Sequence, residues 1–149
     1  MEIQLLIIII IMIACSAFFS ASETALTGAN RIRLKSMAEN GSKGAKMALK
    51  LLDKYDKVIT TILIGNNIVN ITASSLGTIL ATAIVGPDNA ALVSTVVLTL
   101  VILTFGEVMP KSLAKDHSEG MTVATSGIIT FLTFIFTPLS ALFILLKKL

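Results

Sequence analysis

The stretch VITTILIGNNIVNITASSLGTILATAIV, residues 58–85, is 28 residues long and carries no charge. As a helix it would reach about 42 Å, against a hydrocarbon core of about 30 Å. It reads as a membrane span long enough to tilt, protrude or be interrupted. Gly65-Asn66-Asn67 is the natural place for an interruption, because glycine weakens a helix. Asn66, Asn70 and Ser74 recur every four residues and so form one polar stripe on the helix.

On either side the same reading recurs. Segment one runs from Ile3 to about Leu26, with an isoleucine-rich start and a small, polar end at Ser16, Ser20, Ser22, Glu23 and Thr24. Thr27 to Lys57 is polar and basic. Within it, Ala45, Ala48, Leu49, Leu52 and Tyr55 recur at helical spacing opposite Lys46, Lys50, Lys54 and Lys57, and Asn40-Gly41 stops the helix before them. This region is a basic amphipathic hairpin. After the turn Gly86-Pro87-Asp88-Asn89, segment three covers Ala90 to Met109, followed by a connector with Lys115, Asp116, His117 and Glu119. Segment four, Met121 to Leu146, contains Pro138 and leads to Lys147-Lys148.

Composition agrees. Of 149 residues, 54% are hydrophobic and 14% charged, with mean hydropathy +0.89. Soluble domains carry about 25% charge. A soluble enzyme, a secreted disulfide scaffold and a disordered chain are therefore excluded. The single cysteine, Cys15, lies in an apolar run, so no disulfide forms within the chain. Net charge +3 does not signal nucleic acid, since there is no Trp and only Tyr55 to stack on a base. Eight of the twelve basic residues lie between Arg31 and Lys57. By the positive-inside rule that loop is cytoplasmic and the N-terminus outside. A crossing fourth segment would leave Lys147 and Lys148 outside, so a re-entrant or juxtamembrane hairpin, with the C-terminus cytoplasmic, fits better. The expected fold is all-α: a multi-pass membrane domain over residues 1–149, with three transmembrane helices, that hairpin and the basic one.

Ionisable residues within spans usually face a pathway. Glu23 and Glu107 are the two that stand out, with Ser20, Ser22, Asn66, Asn67, Asn70 and Ser74 around them. Carboxylate, amide, hydroxyl and main-chain oxygens suit a hard cation. Pro110 has no N–H for the Gly106 carbonyl four residues back, freeing it beside Glu107. Gly65 and Pro110 are the candidate hinges. The competing readings are structural: Glu107 paired with Lys111 at i+4, Glu23 bridged to the basic loop, and the serines as packing residues. An enzyme lacks support, for the chain has no GxSxG, HExxH or Asp dyad, and His117 lies in a connector.

Together, Ser20-Ala21-Ser22-Glu23-Thr24-Ala25, Gly65-Asn66-Asn67-Ile68-Val69-Asn70 and Gly106-Glu107-Val108-Met109-Pro110-Lys111 resemble the transmembrane domain of the CorC/CNNM magnesium transport family. The resemblance implies a homodimer in the plasma membrane that exports Mg²⁺ through an inward-opening cavity, with Na⁺ as the coupling ion. It assigns metal binding to Ser20, Ser22, Asn66, Asn70 and Glu107, with the Gly106 carbonyl a further candidate. Asn67, Glu23 and Ser74 would be additional metal or cavity residues. Family members continue into paired CBS domains that bind adenine nucleotides, so a nucleotide would act only through domains absent from these 149 residues. The alternative function is a Mg²⁺-sensing membrane anchor and dimerisation module that regulates another transporter.

Overall fold

A computed structural model describes residues 1–147. The described residues are helical almost throughout, without a strand. The order is α1 (Glu2–Gly28), α2 (Arg31–Glu39), α3 (Lys43–Asp53), α4 (Tyr55–Val85), α5 (Pro87–Val101), a π-helical stretch (Ile102–Val108), α6 (Met109–Asp116), α7 (Ser118–Ile135) and α8 (Thr137–Lys147). Among the described residues, four helical runs are long and apolar enough to cross a membrane: α1, α4, Pro87–Asp116 and α7. The expected three spans are the first three, and α7 is an addition by length and composition. Lys148, on which part of the topology argument rests, lies outside the described residues.

The chain forms two compact units. The first comprises Met1–Ser20 and Gly65–Pro110, the second Ala21–Ile64 and the described residues from Lys111 onward. In the first unit, α4 is not interrupted at Gly65. That glycine instead receives the Phe19 ring, which a Cβ there would overlap. Phe19 itself is buried. Close helix packing, rather than chain breaking, explains this glycine. Further along, Gly77 similarly admits Leu98, and Thr78 and Ser94 share a hydrogen bond at 3.0 Å. Gly86, at φ +82°, turns the chain into α5, where Pro87 occupies the first turn.

Local chemistry sets the basic hairpin of the second unit. The Asn30 side chain accepts from the N–H groups of Ile32 and Arg33, and the Ser42 hydroxyl accepts from Ala45. These caps satisfy donors that the first helical turns leave free. Between the helices Gly41, at φ +96°, closes α2: Ser42 N–H bonds Met37 O and Gly41 N–H bonds Ala38 O. That pair of bonds is the Schellman arrangement. The amphipathic helix then ends at Asp53, and Tyr55 opens α4 rather than extending the α3 stripe. Its hydroxyl lies 3.1 Å from that of Thr27. Ala45, Ala48 and Leu51 form the buried face of α3.

Alongside α3 runs α7, in the same direction. A Cβ on Gly44 would sit 2.6 Å from Val123 Cγ1, and the Ser126 hydroxyl donates to Gly44 O at 3.2 Å. Further along, Met47 lies by Gly127. The other side of α3 exposes Lys43 and Lys46, which hydrocarbon excludes. By length and composition α7 is a candidate span, packed along this lysine-bearing helix. The bend at Phe136 separates it from α8, whose Ser140 hydroxyl lies 3.1 Å from that of Thr61 in α4.

Candidate functional site

In the first unit, α1, α4 and the π-helical stretch bring polar oxygens together. The Ser16 hydroxyl donates to Asn66 Oδ1 at 3.0 Å and stands 3.5 Å from the Gly106 carbonyl. Ser16 has no solvent exposure, and Gly106 packs so closely that its Cβ would lie 3.3 Å from Ser16 Cβ. Sequence reasoning named Ser16 but gave it no role. The signal was there, because Ser16 precedes Ser20 by four residues as Asn66 precedes Asn70.

One helical turn from each member of that pair lies an oxygen with nothing to bond. Ser20 Oγ and Asn70 Oδ1 are both buried and without a hydrogen-bond partner among the described residues. Leaving such a group unpaired in an interior costs about 1–3 kcal/mol. Native structures make few of these, so each calls for a physical reason. Beyond Asn70 the stripe continues along a cavity of about 270 Å³ lined by Ser74, Thr78, Ser94 and Thr99. Ser74 therefore joins Asn70 in one lining. Asn67 is exposed, at the edge of this stripe.

The π-helical stretch supplies the third side. Its wider turn shows in the Met109 N–H, which bonds Thr104 O five residues back. Pro110 follows directly and offers the Gly106 carbonyl no donor. Glu107 is half-buried next to that carbonyl and takes part in no ion pair among the described residues. The i+4 pairing with Lys111 is not what forms. Lys111 instead meets Glu23 at 3.4 Å.

Ser22 and Glu23 fall in the second unit. Ser22 is buried and two residues past Ser20, hence about 200° around the helix from it. Glu23 pairs with Lys111 on α6 rather than with the basic hairpin. Among the described residues, no three His, Cys, Asp or Glu side chains gather as a metal-binding group. What the first unit offers is an oxygen set that is largely neutral, with one carboxylate beside it. Hard cations with oxygen preference match that chemistry.

A sequence model of the family described as cyclin M transmembrane N-terminal domain, CNNM, matches residues 7–149. The chain belongs to the CNNM family. Its relatives include a UPF0053 protein of Haemophilus influenzae, 45% identical over 91% of this chain and 32% of that protein. The UPF0053 inner membrane protein YfjD of Escherichia coli is also 45% identical, over 83% of this chain and 29% of its own length. More distant is the polyamine export protein of Haemophilus influenzae, 26% identical over 88% of the chain and 33% of that protein. The chain thus spans about a third of the length of these curated relatives. This CNNM domain is a multi-pass membrane domain.

Proposed function

We propose that this CNNM domain exports Mg²⁺, binding it among Ser16, Ser20, Asn66, Asn70, the Gly106 carbonyl and Glu107. The observation that carries the reading is the pair of buried, unpartnered oxygens on Ser20 and Asn70. A cation bound among these oxygens would supply the partner that each lacks. Glu107 supplies the full negative charge that offsets dehydration, and the neutral oxygens complete the shell. Mg²⁺ sheds water reluctantly and demands near-octahedral geometry, so several converging protein oxygens are needed to hold it. Release then requires one wall to move. The π-helical stretch before Pro110 is the hinge best suited to it, since its backbone bonding is already displaced from the α register. Na⁺ as the coupling ion, a homodimeric assembly and a plasma-membrane location with the N-terminus outside belong to the same proposal. The orientation rests on the basic residues of the hairpin.

The test is Mg²⁺ flux in proteoliposomes with wild type, Asn70→Ala and Glu107→Gln. Flux falling by about tenfold or more in both supports the site, that being the effect of about 1.4 kcal/mol. Undiminished flux in both overturns it. Mg²⁺ binding without any flux would favour the sensing anchor.

A second reading has one observation behind it, the relative named as a polyamine export protein. A polyamine ammonium also seeks carboxylate and carbonyl oxygens, but as a hydrogen-bond donor rather than a Lewis acid. Spermidine and Mg²⁺ offered together to the same proteoliposomes separate the two. Uptake of spermidine that excess Mg²⁺ fails to inhibit favours the polyamine.

A further inference from the structure

The second unit contains a cavity of about 440 Å³ where the end of α3 and the start of α4 meet α7 and α8. Lys50, Lys54 and Lys57 line it on one side, and Leu51, Val58 and Phe134 supply apolar walls. No carboxylate is among its lining residues. None of the three lysines takes part in an ion pair among the described residues. Asp53, the nearest acid in sequence to Lys54, is held by Arg31. Asp56 borders a neighbouring depression together with Lys54 and Lys57. Counting it, the rim still carries two unbalanced positive charges.

The cavity's hydroxyls offer nothing to an anion. Thr130, Thr133 and Thr137 each donate to the carbonyl four residues earlier in the chain, at 2.7 Å. Recognition of an anion therefore falls to the lysines. Those lysines also sit at a particular level. Val58 begins the uncharged run of α4, so Lys54 and Lys57 stand where that helix leaves water for hydrocarbon. The apolar side of the same cavity opens past Phe134, which is 80% exposed. One ligand chemistry answers both halves: a phosphate at headgroup level joined to a hydrocarbon chain. Cationic pockets beside membrane helices hold anionic lipid headgroups in this way.

We propose that this cavity is a binding site for an anionic phospholipid, its phosphate against Lys50, Lys54 and Lys57 and one acyl chain along Leu51 and Phe134. The bound lipid would tie the α3–α4 junction to the α7–α8 bend. This reading is independent of cation transport and uses none of the residues assigned to it.

The experiment is native mass spectrometry of the purified chain in detergent, with phosphatidylglycerol, phosphatidylcholine or inorganic phosphate added separately. Wild type should retain phosphatidylglycerol over phosphatidylcholine by about tenfold or more, each lysine contributing about fivefold. The triple variant Lys50→Gln, Lys54→Gln, Lys57→Gln should lose that preference, and the triple Lys→Arg variant should keep it. The arginine variant also guards against a folding defect being mistaken for a lost site. Equal retention of the two lipids by wild type overturns the proposal. So does displacement of the lipid by millimolar phosphate, which would mean that the apolar walls add nothing. Loss of a dimer signal in the glutamine variant, with lipid preference unchanged, would assign the cavity to a second copy of the chain and also overturn it.

Discussion

At the residue scale, the most consequential contact is the Ser16 hydroxyl on Asn66 Oδ1. Replacing Ser16 by Ala removes a buried donor and leaves that amide oxygen unpaired, at a stability cost of about 1–3 kcal/mol. Thermal unfolding followed by circular dichroism should register a small drop, while Mg²⁺ affinity, measured by titration calorimetry, weakens. Gly65 offers a sharper test of packing. Gly65→Ala places a methyl group into the Phe19 ring, with an expected loss of about 1–3 kcal/mol in the same unfolding assay. Phe19→Leu in the same chain should recover part of it. The sequence pointed to Gly65 as special but not to the reason, because a break and a notch need the same residue. Only the location of Phe19 on another helix distinguishes them. By contrast, Glu107→Gln should barely change stability, since it breaks no ion pair among the described residues.

At the scale of elements, helix ends were the most legible feature. Gly41 and Gly86 act where the sequence marks a helix stop and a turn, whereas the caps Asn30 and Ser42 are apparent only in the structure. The polar stripe of Asn66, Asn70 and Ser74 was legible for the same reason, since fourfold spacing fixes a common helix face before any neighbour is known. Ser16 was harder to assign, because its role depends on a carbonyl ninety residues away. The π-helical stretch left no mark in composition. A five-residue hydrogen-bond step has no preferred residues of its own, and Pro110 announces only that one donor is missing. Pro110→Ala restores that donor and removes an unfavourable ring from the helix. The variant should be more stable by up to about 3 kcal/mol and transport more slowly, as the hinge is stiffened. Unfolding temperature and proteoliposome flux measured together check the pair of signs. Faster transport would remove the hinge from the mechanism.

At the scale of the whole molecule, the membrane class followed from charge scarcity, and the spans followed from length. The status of α7 did not, because its 18 residues satisfy the length of a span while its partner helix carries the lysines. Cysteines introduced at Asn40, Glu119 and Asp88, on a Cys15→Ser background, test the topology. A membrane-impermeant thiol reagent should label the first two from one side of the membrane and Asp88→Cys from the other. The two buried oxygens that lack partners, on Ser20 and Asn70, carry a last consequence, for cellular turnover. An ion that relieves them binds the folded chain and not the unfolded one, so its concentration enters the folding equilibrium. At a hundredfold excess over the dissociation constant the gain is about 2.7 kcal/mol, which lowers the unfolded fraction about a hundredfold. Quality-control proteases act on that fraction. On the proposed reading, an ion-starved cell would clear the protein sooner and an ion-rich one would keep it, so the bound ion would help to set how many copies survive.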